Sequence, residues 1–412
     1  MHRAGRHENI LLLCEIAVNK DWLYASHMPD AVDAADDEVR QEVIDTVRRF
    51  VANEVVPVAA ELEREDRFPD AIVEKMRALG LFGVTIPEAY GGLGLDLVTY
   101  VGIIEELAYG WMSLAGVVNT HTMVATLLIA HGTEEQQRRW LPAMSTGERR
   151  GALSLSEPDA GSDTRNISCK AVRDGDEFIV NGTKAWVTNG ERAQIVALAA
   201  RTEEGLSAFI VEKEPGPRFQ GISVSKHVGK LGYRGIETVE MAYTDHRIPA
   251  ANLVGSPGRG LAQILGVLEV GRINVAARAV GVARAAFDAA LLYATQRTTF
   301  GKPIAEHQAI QLKLADMATR LEASRLLTKN AAERKMAGLR CDVEAGMAKL
   351  FASETAMELA MEAMRIHGGV GYTTEMPVER YFRDAPLMII GEGTNEIQRL
   401  VIARGLLSRM RH

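Results

Sequence analysis

The sequence predicts an α+β protein, mostly α, in which a helical N-terminal domain, a central antiparallel β-barrel or sandwich and a C-terminal four-helix bundle follow one another. Apolar residues recur at helical spacing up to about residue 150. They then alternate with a period near two, and after residue 260 they return to long helical patterns. Turn dipeptides such as Asp174-Gly175 and Asn189-Gly190 fall in the middle segment. We therefore place the domains at 36–150, 151–260 and 261–412, after an atypical N-terminal extension at 1–35.

The composition is that of an ordinary globular protein with a small-molecule partner. The chain has 412 residues, of which 47% are hydrophobic and 25% charged, and its net charge is −7. It is long enough for a large core and has no basic footprint for nucleic acid. Its three cysteines are far apart and lack zinc-site spacing, which predicts a reducing, cytoplasmic location and no structural metal. No apolar stretch reaches the roughly 20 residues of a membrane span, so we expect no integral membrane association and no signal peptide.

Helices account for the first domain. Residues 38–65 carry apolar side chains at helical spacing, and a second helix at 70–79 ends at Gly80. A third helix begins near Leu97, and a fourth begins at Thr133 or Glu134. The glycine-rich loop before the third helix lacks the spacing of a phosphate-binding motif, so we interpret it as a turn.

Two segments of the middle domain have candidate binding positions. ALSLSEPDAGSD (152–163) runs from a strand into a turn with Ser156, Ser162 and free N–H groups, which suit a polar ring edge or a phosphate. NGTKAWVTNG (181–190) indicates a strand between two Asn-Gly turns, with Trp186 and Thr188 on one face. An aromatic wall beside a hydroxyl suits a planar heteroaromatic ligand. The alternatives are a plain loop and a hairpin with a core tryptophan.

Long helical patterns predict the C-terminal bundle, at 261–296, 307–337 and 342–366, with a shorter helix after Thr394. Arg297, at the end of the first helix, could hold a pyrophosphate, and Gln308 could recognise a ring edge. Surface ion pairing is the alternative. Glycines in HGGVGY (367–372) break a helix where a ligand could approach, although a simple helix end fits equally. His307 and His367 lack partners at ligand spacing, so we interpret both as structural.

The loop GEGTNEIQR (391–399) holds the candidate base. Glu392 stands between Gly391 and Gly393, after an apolar run and before a helix that Thr394 or Asn395 begins. The glycines permit close approach to another molecule. An acid beside apolar residues is partly desolvated, which raises its pKa towards a value useful for proton abstraction. A solvated loop acid is the alternative interpretation.

The motifs SEPDAGSD, NGTKAWVTNG, RTTFGKPI, HGGVGY and EGTNEIQR, in this order, resemble those of the acyl-CoA dehydrogenase family. The resemblance runs over roughly residues 38–410. It implies the three-domain fold above, a homotetramer with FAD at the subunit interface, an acyl-CoA substrate and an electron-transfer flavoprotein as electron acceptor. The implied reaction is α,β-dehydrogenation of the thioester to trans-2-enoyl-CoA, in which Glu392 removes the α-proton and the β-hydride passes to flavin N5.

The resemblance also implies binding roles, residue by residue. Contacts to the flavin ring would come from Leu155, Ser156, Trp186 and Thr188. The dinucleotide of a neighbouring subunit would be reached by Arg297, Phe300, Gln308 and Gly369, while Thr394 and Glu396 would lie at the cofactor phosphates and ribityl chain. Substrate-binding positions would be Ser162, Glu269, Arg272 and Gly393.

Two departures from the family pattern concern the base and the acyl group. In some relatives the base precedes the arginine that matches Arg272; here that position is Gly271, which leaves Glu392 as the only candidate. Many relatives have an aromatic residue where this chain has Gly391, and the lost volume favours a bulkier or branched acyl group. The alternatives are an oxidase-like or decarboxylating variant, for which no extra cationic residue can be placed from sequence, and a non-catalytic acyl-CoA-binding relative.

Overall fold

The N-terminal domain is helical, as the periodicity predicts. The computed structural model describes residues 34–225 and 227–409, so the predicted extension at 1–35 falls almost entirely outside the described residues. Helices α1 (Ala34–Phe50) and α2 (Val56–Arg64) are joined by a π-helical turn, and are followed by α3 (Asp70–Ala78), α4 (Leu97–His131) and α5 (Glu134–Ser145). Thr133 begins α5 in a capping box with Gln136, which decides between the two predicted starts.

Helix α4 is the central helix of this domain. It is interrupted at Trp111, whose φ of −161° and ψ of 110° are extended, so two helical pieces meet at a kink. By length and composition α4 could cross a membrane, contrary to the expectation that no stretch is long enough. However, 83% of its most apolar window is buried inside the fold, as in the core helix of a globular protein.

Within the described residues, the middle domain is a nine-stranded, largely antiparallel sheet. Its strands are β1 (Gly151–Ser154), β2 (Lys170–Asp174), β3 (Glu177–Thr188), β4 (Ile195–Thr202), β5 (Gly205–Glu212), β6 (Arg218–Phe219), β7 (Ile222–Val224), β8 (Thr238–Pro249) and β9 (Leu253–Val254). The order is β6-β7-β8-β3-β2-β4-β5-β9, with β1 beside β4. The predicted fold class is confirmed, although β4 pairs with β1 and with β2 in parallel.

The predicted turn at Asn181-Gly182 is wrong, because both residues lie inside β3. Pairing with β8 shifts register between Val180 and Gly182. A Cβ on Gly182 would come within 2.7 Å of Cys169, so the glycine serves a close approach inside the sheet. A second register shift follows Lys184 and places Trp186 at a φ of +60°. The strand is therefore distorted where its tryptophan leaves the sheet.

The C-terminal bundle contains one helix that the sequence did not indicate. Its elements are α6 (Gly260–Gln296), the hairpin β10 (Thr298–Thr299) and β11 (Lys302–Pro303), α7 (Gln308–Met336), α8 (Asp342–His367), α9 (Val378–Ile390) and α10 (Asn395–Arg409). Helix α9 contains Pro386, which cannot donate a backbone hydrogen bond and so hid the helix in the sequence. Helix α6 packs along both α8 and α4, which joins the bundle to the N-terminal domain.

A buried ion cluster fixes α4 to the bundle. Arg284 on α6 contacts Glu105 at 2.9 Å and Glu106 at 2.6 Å, and Arg325 on α7 contacts Glu105 at 2.8 Å. Burial raises the pKa of Glu105, but Arg325 and Arg284 outweigh it and lower that pKa to about 2. The carboxylate is therefore ionised, and its charge holds three helices in register.

Candidate active site

Glu392 lies in the short loop between α9 and α10. Its φ of +57° is in the left-handed region, which is sparsely populated for residues with a side chain and is often found at functional sites. Fully buried Lys349 on α8 holds this loop: its Nζ donates to the carbonyls of Ile389 and Gly393, both at 2.9 Å, and to the side chain of Asn395 at 2.7 Å. Sequence reasoning missed Lys349, which fixes the backbone on both sides of Glu392.

Thr394 begins the helix that follows. Its hydroxyl accepts a hydrogen bond from the backbone N–H of Ile397 at 3.4 Å, whereas buried Asn395 is engaged by Lys349 and Ser353. Gln398 donates back to the carbonyls of Glu392 and Gly393, at 3.2 and 3.1 Å. The loop is thus closed from the α10 side as well as from α8.

The carboxylate of half-buried Glu392 faces α4 and α6. Asn119 Nδ2 donates to Glu392 Oε1 at 3.1 Å. A Cβ on Gly271 would lie 2.7 Å from Oε2, so only glycine leaves room for this carboxylate. Burial raises the pKa of Glu392, and Arg278, Asn119, Arg272 and Lys349 reduce that rise without cancelling it. Glu392 therefore has the raised pKa of a carboxylate suited to proton abstraction.

The four residues predicted at a flavin ring lie side by side in the middle domain. The backbone N–H of Ala185 donates to Ser156 O at 2.8 Å, and buried Lys184 donates to Leu155 O at 2.9 Å and to Glu157 at 2.8 Å. These bonds set Leu155 and Ser156 beside Trp186 and Thr188. The Trp186 indole is 62% exposed, an open aromatic face. The Lys184–Glu157 pair that connects the two segments was not foreseen from sequence.

The end of β3 is attached to α4 close to the base. Asn189, directly after Thr188, donates to Thr120 Oγ1 at 2.7 Å and to Val117 O at 3.4 Å. Thr120 is the neighbour of Asn119, the hydrogen-bond donor to Glu392. The aromatic face and the base therefore border a common region of the molecule.

The remaining predicted dinucleotide contacts lie at the opposite end of the bundle. Arg297, Phe300, Gln308 and Gly369 are exposed there, and Phe300, at the tip of the β10–β11 hairpin, is 96% exposed. Gly271 and Arg297 are 26 residues apart on α6, which corresponds to roughly 39 Å along the axis. Arg297 instead borders a cavity of about 1010 Å³ that does not include Glu392. Within one chain, the fold therefore does not bring the Arg297 group next to Glu392.

The predicted substrate and phosphate positions are spread more widely. Arg272 is buried and its charge acts on Glu392, and Gly393 is in the same loop as the base. Glu269 forms an ion pair with Lys335 at 2.7 Å. Ser162 and Glu396 are exposed, and Thr394 is half-buried. Among residues 34–225 and 227–409, no cluster of His, Cys, Asp or Glu is placed to hold a metal ion.

Removing the amide beside the base should shift its titration. Asn119→Leu deletes the hydrogen bond that lowers the pKa of Glu392, so we expect that pKa to rise. A base must be deprotonated to act. The acid limb of the kcat/KM profile should therefore move to higher pH, with severalfold lower activity at the acid end and recovery at higher pH.

The control is Thr126→Val, a polar deletion elsewhere on α4, where the hydroxyl bonds only its own helix. It should leave the profile in place. If the acid limb of the Asn119→Leu profile stayed at the same pH or moved to lower pH, the proposed effect of the Asn119–Glu392 hydrogen bond would be contradicted.

A desolvated carboxylate and an open aromatic face that border the same region are suited to removing a proton from carbon and to holding a planar group. Models of the N-terminal, middle and C-terminal domains of acyl-CoA dehydrogenase match residues 37–148, 152–246 and 258–407. An acyl-CoA dehydrogenase of Bacillus subtilis (strain 168) is 43% identical over 367 residues, which cover 88% of this chain and 96% of that one.

Two solved structures have the same fold. Butyryl-CoA dehydrogenase from Megasphaera elsdenii has a TM-score of 0.88 and 34% identity, covering 92% of this chain and all of that one. Glutaryl-coenzyme A dehydrogenase in complex with glutaryl-CoA has a TM-score of 0.87 and 36% identity, covering 92% and 97%.

The chain belongs to the acyl-CoA dehydrogenase family, an enzyme family whose members are FAD flavoproteins that dehydrogenate acyl-CoA thioesters. The predicted reaction class is confirmed.

Proposed function

We propose that Glu392 is the base that removes the α-proton of an acyl-CoA thioester. The observation that carries this proposal is the Glu392 carboxylate itself, whose pKa is raised by burial while a single amide and three cations keep it available in the ionised form. An α-proton is weakly acidic, so a solvated loop acid would be too poor a base. Lys349 positions Glu392 by fixing the carbonyls on either side of it.

FAD, when bound, supplies the acceptor for the β-hydride. The chain's residues suit this group: the open face of Trp186 offers a stacking surface, and Thr188 presents a hydroxyl beside it. Leu155 and Ser156 border the same surface. Thr394 and Glu396 lie at the N-terminus of α10, whose free N–H groups suit an anionic cofactor or substrate group. The N–H of Glu392 is proposed to donate to the thioester carbonyl, with Arg272, Ser162, Glu269 and Gly393 on the CoA side.

The second dinucleotide group supports a homotetramer. Arg297, Phe300, Gln308 and Gly369 are exposed, and Arg297 lies roughly 39 Å along the α6 axis from Gly271, the residue beside the Glu392 carboxylate. Phe300, 96% exposed at the tip of the hairpin, is accessible to another chain. We therefore propose that each chain lends this group to its neighbour. The buried free thiols Cys169 and Cys341 support a reducing, cytoplasmic setting, and an electron-transfer flavoprotein is the proposed acceptor.

A thioester panel tests the function. The purified holoenzyme, mixed without air with acyl-CoA thioesters of varied length and terminal group, should lose its flavin absorbance near 450 nm and form the trans-2-enoyl product. Bleaching by none of the thioesters would overturn the proposal. The same assay under air addresses the oxidase-like alternative, since steady formation of hydrogen peroxide without an added acceptor would favour it. The structural relatives are named for butyryl-CoA and for glutaryl-CoA, so similarity leaves the acyl group open.

A further inference from the structure

Arg278 is a buried cation that, within the described residues, forms no salt bridge with a carboxylate. Its side chain is on α6 and the residue is 5% exposed. Arg284 and Glu269 of the same helix do form ion pairs, and Nε of Arg278 has no hydrogen-bond partner among the described residues. Arginine stays protonated in proteins, and an unpaired buried charge is strongly unfavourable. The Glu392 carboxylate interacts with Arg278 through its charge, but no carboxylate of the described residues is bound directly to the guanidinium.

The guanidinium faces the region of the base. Arg278 follows Gly271 by seven residues, nearly two helical turns, so both lie on the same face of α6, about 10 Å apart along its axis. Helical side chains lean towards the N-terminus, which brings the guanidinium back towards Gly271. In agreement, Arg278 is the cation that acts most strongly on Glu392. Its Cζ is 5.9 Å from the ring centre of Tyr233.

Buried polar atoms lie close to Arg278 on α6, although a purely hydrocarbon acyl chain could not form hydrogen bonds with them. Asn274, one turn earlier on α6, donates to the hydroxyl of Tyr100 at 2.8 Å. Its Oδ1, like that of Asn119, is buried without a hydrogen-bond partner among the described residues. Buried polar atoms are normally satisfied, and unsatisfied ones in a binding site indicate missing polar ligand atoms or water. Gly391, directly before the base, leaves space beside it, because a Cβ on Gly391 would contact only Leu387.

We propose that Arg278 binds a carboxylate at the far end of the acyl chain, so that the preferred substrate is the mono-CoA thioester of a dicarboxylic acid. Arginine is suited to this role because its planar fork binds a carboxylate bidentately. The spacing on α6 favours a short acyl group, of roughly four to six carbons. The proposal rests on the proposed function of Glu392. In the reaction, the α-proton would go to Glu392 and the β-hydride to the acceptor that FAD supplies when bound, while the distal carboxylate stays ionised on Arg278.

The simpler alternative is that Arg278 only keeps Glu392 ionised. That role concerns every substrate equally, whereas a binding role depends on the terminal carboxylate. Glutaryl-CoA and pentanoyl-CoA separate the two, because their acyl chains have the same number of carbons and differ only at the far end.

Binding is measured in the Glu392→Gln holoenzyme, which holds the thioesters without turnover, through the change in flavin absorbance. We expect glutaryl-CoA to bind at least about tenfold more tightly than pentanoyl-CoA, and Arg278→Gln in the same background to abolish or reverse that preference. In the enzyme with Glu392 intact, Arg278→Gln should shift the kcat/KM ratio towards pentanoyl-CoA. Arg320→Gln, an exposed arginine in the same bundle, is the control.

Equal or tighter binding of pentanoyl-CoA would overturn the proposal, as would an Arg278→Gln variant that weakens both ligands alike. An enzyme that oxidises neither these two thioesters nor any other of the panel overturns the proposed function, while the binding comparison still decides the role of Arg278.

Discussion

Glu392→Gln should retain the cofactor and bind acyl-CoA, yet lose about a thousandfold in turnover. The amide has nearly the shape of the carboxylate, so Asn119 and Gly271 still accommodate it. It cannot accept the α-proton, and Gly271 offers no second base on the facing helix. The measurement is the single-turnover rate of flavin reduction, together with the flavin absorbance of the purified variant.

Glu358→Gln is the matched control, because it makes the same change in an exposed glutamate of the bundle that pairs with Arg320. It should reduce flavin at the normal rate. A Glu392→Gln variant with near-normal turnover would show that another group takes the proton.

Arg284→Ala should lower the free energy of unfolding by about 3–5 kcal/mol. The substitution leaves Glu105 and Glu106 buried with much less compensation, since Arg284 contacts both and its side chain is 9% exposed. The cluster joins α4 to α6, so the loss should appear in the thermal midpoint and in denaturant unfolding at neutral pH. Activity should fall at temperatures where the native enzyme is still folded.

Arg320→Ala removes an ion pair of similar length, 2.8 Å, whose side chains are 46% and 50% exposed. Exposed pairs contribute about 0–1 kcal/mol, so this variant should be almost as stable as the parent. Adding Glu106→Gln, which removes one of the two carboxylates that Arg284 contacts, should recover part of the stability lost in Arg284→Ala. If Arg284→Ala and Arg320→Ala lowered the free energy of unfolding equally, burial of the Arg284 ion pairs would not explain their contribution to stability.

Patterns within short segments of the sequence correctly predicted features that depend on neighbouring residues. Helical periodicity indicated the long bundle helices, the start of α5 at Thr133 or Glu134 was predicted from the local residues, and Glu392 was identifiable from its glycines and the apolar run before it. The same reasoning missed α9, where Pro386 concealed the helix, and placed a turn at Asn181-Gly182, where the glycine serves an internal contact instead.

The environment of the base was beyond local reasoning. Asn119 is 273 residues from Glu392 in the chain, and Lys349 is 44 residues from the carbonyl of Gly393 that it holds. No local pattern distinguishes Arg278, because only packing shows that it is buried with its Nε lacking a hydrogen-bond partner among the described residues. Residue spacing can identify a candidate carboxylate. The pKa of that carboxylate depends on which charges from distant parts of the chain the fold brings close to it.

The length of α6 has a consequence for dilute solutions. Arg297 lies roughly 39 Å along α6 from Gly271, beside the base of its own chain. Under the proposed sharing of this group between chains, occupancy by the dinucleotide and association of the chains are linked equilibria. Dilution should release both together, and added FAD should draw separated chains back into the oligomer. The apparent cofactor affinity should therefore rise with protein concentration, which makes the amount of enzyme in a cell part of what determines how much of it is active.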